Sequence, residues 1–385
     1  MGHKSFIVIA ICSIVMSTSC QKKDTASAEN SILSVGTHLL VTAGACYSGA
    51  GNTTFTNLTA SNIVYSINLQ NGNREAILAD YNSTPSNYGD SPVGLIDAGT
   101  SFSVLIENTT TTSLRRIESI DKTSYARTIY SGNTTALSAQ LRGMIELPDG
   151  YYLVSKSSAL EKMKSGLNRL MAGAYPWVNL ANPPAASGCA PSVTLLTASA
   201  VLNNGNIVFA HAAAGASKIG IVSAQGYSVA GNCLNGGAVI FPPGAAAYPT
   251  AMVYDSAKNN LLVAYAGNST ATGVNSIYVY PVNETTNTLG AGVAIYDSSL
   301  FGSGSGWNYL LYGVSAMTLD PSDNSLYVAT AITTNTTISN FQILKLKYDS
   351  TQIGVANNQV LLPVSNPFYS YGFDTKCISS MTITH

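Results

Sequence analysis

Val314-Ser-Ala-Met-Thr-Leu-Asp-Pro-Ser-Asp-Asn-Ser-Leu-Tyr-Val-Ala329 decides the fold. Two short apolar runs flank a cluster of Asp, Pro, Ser and Asn, which is the composition of a tight turn joining antiparallel strands. The pattern returns in Thr250-Ala-Met-Val-Tyr-Asp-Ser-Ala-Lys-Asn-Asn-Leu-Leu-Val-Ala264. Looser copies are Arg142-Gly-Met-Ile-Glu-Leu-Pro-Asp-Gly-Tyr-Tyr-Leu-Val154, Leu195-Leu-Thr-Ala-Ser-Ala-Val-Leu-Asn-Asn-Gly-Asn-Ile-Val-Phe209 and Val93-Gly-Leu-Ile-Asp-Ala-Gly-Thr-Ser-Phe-Ser-Val-Leu105. Further strands follow the hairpins, at Ser276–Val282 and Gly292–Tyr296 in one copy and at Phe341–Tyr348 and Gln359–Leu362 in another. Four antiparallel strands per repeat is the content of a propeller blade.

The second strand of each repeat should begin near residues 37, 102, 151, 206, 261 and 326, so the length suits six blades. The first copy, His38-Leu-Leu-Val-Thr-Ala-Gly44, lacks an inner strand before it. At the other end of the sequence, Ile378-Ser-Ser-Met-Thr-Ile-Thr384 matches Val314-Ser-Ala-Met-Thr-Leu319. The expected fold is therefore all-β, a six-bladed β-propeller closed by the C-terminal strand joining the N-terminal blade. A seven-bladed ring and a pair of β-sandwiches are the alternatives. The Asp320-Pro321 turn followed by Leu-Tyr-Val-Ala329 resembles the repeat of YVTN and NHL-type bacterial propellers, a likeness that bears on architecture and not on function.

The first 20 residues read as an export signal. Lys4 precedes an apolar run from Phe6 to Met16, too short to span a bilayer, and Ser17-Thr18-Ser19 lead into Cys20. This arrangement resembles the lipobox of bacterial lipoproteins, with Ser17 where Leu is usual. The resemblance implies a signal peptide over 1–19 and a diacylated Cys20. It also implies, from Gln21 in place of an Asp, transport to the outer membrane, on either its periplasmic or its exposed side. Residues 20–31 are polar and lack apolar periodicity, as expected of a tether, and 32–385 form the propeller domain.

Cys46, Cys189, Cys233 and Cys377 remain, an even number in an exported chain, which points to disulfides with three possible connectivities. If the last strand completes the first blade, Cys377 approaches Cys46, which leaves Cys189 with Cys233.

Charged residues are only 10% of the chain, 18 basic against 19 acidic. So balanced a surface provides no field for nucleic acid, and the membrane is expected as a partner only through the lipid anchor. Beyond the signal the histidines are His38, His211 and His385. The first two fall in expected second strands of different blades, where a packed role is the ordinary one. Asp320 and Asp323 read as turn caps, and no catalytic residue, metal or cofactor is expected. Glu161-Lys-Met-Lys-Ser-Gly-Leu-Asn-Arg169 reads as a solvated bend or a short helix.

The segments between blades are rich in aromatics, carrying Tyr88, Tyr248, Trp307, Tyr309, Tyr312, Tyr369 and Tyr371 onto one face. Such rings offer large contact area with hydrogen-bonding tips. The expected activity is non-enzymatic binding of a protein or glycan. The alternatives are an enzyme acting on small sugars or lactones and a structural subunit of an envelope complex.

Overall fold

Hairpin turns give the chain its repeat. In a computed structural model, the residues described are 38–44, 46–48, 54–56, 62–70, 72, 74–81, 89–108, 115–131, 141–156, 159–164, 178–179, 196–211, 218–223, 248–266, 276–297, 314–334, 337–348, 369–370 and 377–384. Just before five of the second strands stands a residue with positive φ: Gly99, Gly150, Gly205, Asn259 and Asn324. These are residue types that enter the left-handed region cheaply. Asp carboxylates close the same turns, Asp255 accepting from the Ala257 N–H at 3.1 Å and Asp320 from the Ser322 N–H at 2.9 Å. The second strands then begin at His38, Ser101, Tyr151, Ile207, Asn260 and Ser325, each within one residue of the expected position.

Among the described residues there are six antiparallel sheets of three to five strands and a separate two-stranded ribbon of Cys46–Ser48 and Thr54–Thr56. Their innermost strands are Cys377–Thr384, Asp90–Asp97, Leu141–Glu146, Leu196–Val201, Tyr248–Asp255 and Ala316–Asp320. The first of these pairs antiparallel with His38–Gly44, from His38 opposite Thr384 to Gly44 opposite Cys377, so the last strand completes the first sheet. Each innermost strand neighbours the next, and Cys377–Thr384 lies between Ala316–Asp320 and Asp90–Asp97, which closes the circle.

The core has the same order. Six apolar clusters each join two successive sheets, and the cluster of Leu39, Val41, Tyr65, Tyr327, Ile343 and Met381 joins the last sheet to the first. Within His38–Gly44, Leu39 and Val41 face the last sheet, whereas Leu40 faces the second through Phe102 and Val104. A strand buried on both faces must be apolar without interruption, which is why this one carries no polar alternation. Strands from neighbouring sheets also approach closely. A Cβ on Gly94 would stand 3.0 Å from the Met144 amide nitrogen, so only glycine fits without a shift.

Tyrosine hydroxyls stitch the sheets together at depth. Tyr152 and Ser103 share a hydrogen bond of 2.7 Å, Tyr296 donates to the Lys347 carbonyl at 2.7 Å, and Asn260 donates to Tyr348 at 2.9 Å. Each joins two neighbouring sheets and satisfies a buried polar tip.

One expectation is corrected. Ala159–Lys164 is a strand and not a bend or helix. Its charges are absorbed by pairing, Lys156 to Glu161 at 2.6 Å and Lys162 to Asp149 at 2.5 Å, which lets Leu160 and Met163 enter the core. Among the described residues the outermost strand of the last sheet is Tyr369–Ser370, opposite Ile343 and Gln342, and the expected strand Gln359–Leu362 lies outside them.

The axial channel as candidate functional site

The innermost strands enclose a channel of about 520 Å³, lined from all six sheets. Its wall is organised by one repeated irregularity. In five of the six strands a single residue is skipped by the ladder: Ser379, Val93, Arg142, Thr197 and Thr250. In the sixth, Ser315 donates its N–H to the Ala329 carbonyl at 3.0 Å although Ala316 is the residue opposite Ala329, so two residues again face one. All six line the channel, toward the end at which the innermost strands begin. A bulge re-aims a side chain that regular pleating would place elsewhere.

Two of the bulges share one hydrogen bond. Thr197 Oγ1 donates to the Ala210 carbonyl at 3.4 Å and Thr250 Oγ1 to the Ala264 carbonyl at 3.4 Å. In both cases the acceptor stands opposite the residue after the bulge. Each of these protons is thus directed into the sheet, and the lone pairs remain to accept from the channel. The Ser379 hydroxyl instead donates to the Pro92 carbonyl of the next sheet at 2.6 Å and lies 2.8 Å from Thr42 Oγ1. Ser315 differs: its Oγ is buried and has no hydrogen-bond partner among the described residues. Arg142 is the charged member of the ring, 8% exposed, with its Nε and Nη2 buried.

The opposite end is acidic. Asp97 and Glu146 lie at the ends of adjacent innermost strands, and Lys122 pairs with Asp97 at 2.6 Å. Desolvation, and then the Asp97 charge, push the Glu146 carboxyl above its ordinary value. A raised carboxylate binds its proton more tightly folded than unfolded. Its contribution to stability is complete below the unfolded value and is lost as pH rises through the folded one. Glu146→Gln should therefore raise the thermal midpoint slightly at pH 7, and the gain should vanish near pH 4. Melting curves of both proteins across that range check it.

The candidate residues read from the sequence are distributed as follows. Tyr248 is the first residue of an innermost strand, opposite Ala266 and only 9% exposed, so it does not belong to an inter-sheet segment. Tyr369 pairs with Ile343 in the short outer strand. Tyr88, Trp307, Tyr309, Tyr312 and Tyr371 lie outside the described residues, as do Cys20, Cys189 and Cys233. Cys46 opens the two-stranded ribbon opposite Thr56, and Cys377 is buried at the start of the last strand. His38 and His211 are buried in second strands, away from the channel wall. Among the described residues no group of three or more His, Cys, Asp or Glu side chains is placed to hold a metal ion.

The bulge ring was missed in the sequence, although its members stand within the first three positions of the aligned repeats. The available signal was a recurrent hydroxyl before a small residue and Met, as in Thr250-Ala-Met252 and Ser315-Ala-Met317.

No family model matches the chain, and no curated protein does. Solved structures do. A protein of unknown function from Bacteroides caccae aligns over 91% of this chain and 99% of its own, at 11% identity and a TM-score of 0.47. A gluconolactonase from Xanthomonas campestris aligns over 84% and 88%, at 10% identity and a TM-score of 0.41. A quinonprotein alcohol dehydrogenase-like protein from Bacteroides thetaiotaomicron aligns over 88% and 77%, at 13% identity and a TM-score of 0.43. The chain is an all-β protein of antiparallel sheets, with β-propeller proteins of this kind among its structural neighbours.

Proposed function

We propose that this chain is a six-bladed β-propeller of the cell envelope, anchored through a lipidated Cys20, that binds a polar ligand, a glycan or a protein segment, at its axial channel without chemically altering it. The observation that carries the reading is the bulge ring, which repeats one local distortion in successive sheets and aims it into one cavity. Distortions of this sort cost ladder hydrogen bonds. Their recurrence at one height is what a binding collar requires, and the hydroxyls of Thr197 and Thr250 offer acceptor lone pairs there. The aromatic residues Tyr88, Trp307, Tyr309 and Tyr312, outside the described residues, precede innermost strands in the sequence and remain candidates for the same ligand.

The anchor and the disulfides complete the proposal. Cys377 is disulfide-bonded and stands opposite Gly44, two residues from Cys46, which supports a Cys46–Cys377 bridge across the closing strand pair. Cys189 and Cys233 form the second bridge on this reading.

The test is direct. The mature protein is screened against neutral and charged oligosaccharides by calorimetry, with a parallel assay for release of sugar or lactone products. Binding that weakens about tenfold in Thr250→Val, with ligand recovered unchanged, is the expected result; one lost hydrogen bond of that kind is worth about 1 kcal/mol or slightly more. Turnover of any panel member would replace the binding reading with the enzymatic one. Peptide mass mapping of the same sample checks Cys20 and the bridges.

A further inference from the structure

Resting on that reading of the channel as a binding site, we infer that the ligand is the amino-terminal end of an extended peptide. Its backbone bonds to the free edge of an innermost strand, and its ammonium group lies at Glu146.

Three observations lead there. The first is what the wall is made of. Among the described residues each innermost strand is the terminal strand of its sheet, so one edge is paired and the other is turned to the channel. Residues line the cavity in unbroken runs, 142–146, 250–253, 315–318 and 379–383. A strand presenting one face would contribute every second residue, so the wall is built from edges and their backbone groups. The side chains of Met144, Met252, Met317 and Met381 enter the clusters between sheets instead. On an antiparallel edge every second residue turns both its N–H and its C=O outward. That spacing is the repeat of another extended chain, which is how a peptide adds to a sheet. The hydroxyls around a sugar ring do not follow it.

The second is room. A Cβ on Gly143 would meet nothing within 4 Å, and both Gly143 and Ser155, opposite it on the second strand, line the cavity. The space beside Gly143 therefore belongs to the channel. From the bulge at Arg142 to Glu146 is four residues, about 13 Å at the usual rise, which matches four residues of an extended ligand. A cavity of about 520 Å³ is within the usual range for a small-ligand site.

The third is charge. The ionisable residues of the wall are Asp97, Arg142 and Glu146. Arg142 is buried, and Asp97 is paired with Lys122 at 2.6 Å. Glu146 is exposed at the far mouth, and the charge that acts on it is the like charge of Asp97. An ammonium supplies the opposite charge and gives the ligand a direction. Innermost strands run from the bulge toward Glu146, so a peptide that begins at Glu146 runs the other way and forms the more stable, antiparallel pairing. At the bulge end the hydroxyls of Thr197 and Thr250 accept from peptide N–H groups.

The experiment uses the full mature protein and three probes measured by calorimetry: tetra-alanine, its N-acetylated form, and tetra-alanine methylated at its internal amide nitrogens. The inference expects tetra-alanine to bind at least fivefold more tightly than the acetylated form, and the methylated form not to bind. Glu146→Gln should lower the affinity for tetra-alanine to that for the acetylated peptide and leave the latter unchanged. Gly143→Leu should abolish binding of both while the thermal midpoint stays the same or rises slightly, because the new side chain enters open space and glycine weakens a strand. An acetylated peptide that binds as well as the free amine, or a methylated one that binds as well as the unmethylated, would overturn the inference. So would sugars that bind where the peptides do not, although the binding channel would then stand. Binding of neither class would overturn both.

Discussion

A chain ending at Lys376 should not fold. It lacks only the last nine residues, yet no cooperative thermal transition is expected by far-UV circular dichroism, where the full chain gives one. The strand Cys377–Thr384 is innermost in its sheet, and three of its residues, Cys377, Ile378 and Met381, are buried in the cluster that joins the first and last sheets. Losing Ile378 and Met381 from a core costs about 2–5 kcal/mol each. The larger loss is the partner of His38–Gly44. All seven of that strand's residues are buried, and without Cys377–Thr384 its backbone groups become an open edge facing the channel. Together these costs reach the whole stability of an ordinary domain, about 5–15 kcal/mol. The full-length Cys377→Ser protein is the control: it keeps the strand and loses only its disulfide, so it should still melt cooperatively. A synthetic peptide of residues 377–385 should restore the transition when added to the truncated chain. A truncated chain that melts like the intact one would show that the closing strand contributes little, and the ring reading would fall with it.

What the sequence disclosed and what it withheld separate along a physical line. Turns were legible because their cause is local: Asn259, Asn324, Gly150 and Gly205 occupy left-handed backbone that few other residues tolerate, and each sits beside the strand it announces. The closing strand was legible because it repeats a pattern present in the other sheets. Bulges were not, since Thr250 becomes an extra residue only through its pairing with Tyr265 and Ala264. Burial of charge was equally hidden. Glu161 and Lys162 look like a solvated run until Lys156 and Asp149 are brought against them from the neighbouring strand and its turn. Tyr152, Tyr296 and Tyr348 fall in expected strands, but that their hydroxyls bond from one sheet to the next was not legible. Every miss concerns a residue whose role depends on a partner from another strand, which composition and spacing do not encode.

Asp90→Ala should be the most damaging single substitution in the second sheet, with a loss of about 3–5 kcal/mol read from the urea midpoint. Asp90 is fully buried at the start of an innermost strand, accepting from Arg116 Nη2 at 2.6 Å and from Asn108 Nδ2 at 2.6 Å. Arg116 is buried too, and its Nε reaches Glu118 at 2.6 Å. Removing the Asp90 carboxylate takes a buried counter-charge from a guanidinium that cannot neutralise itself and an acceptor from the Asn108 amide. Truncating both partners should be less harmful than truncating one, so Asp90→Ala combined with Arg116→Met should recover part of the loss. The exposed pair Lys345–Asp323 is the contrast: with the Asp323 side chain 48% exposed, breaking it should cost no more than about 1 kcal/mol. The effect should extend to the channel. Asp90 begins the strand that carries the Val93 bulge and Gly94, whose close approach to Met144 sets the spacing to the strand bearing Arg142. A folded Asp90→Asn protein, which keeps the shape and loses the charge, should therefore bind the channel ligand more weakly than wild type although Asp90 does not line the channel. Unchanged stability in Asp90→Ala would mean that the buried ions are dispensable. The strand carrying Val93 would then be held by its apolar contacts alone.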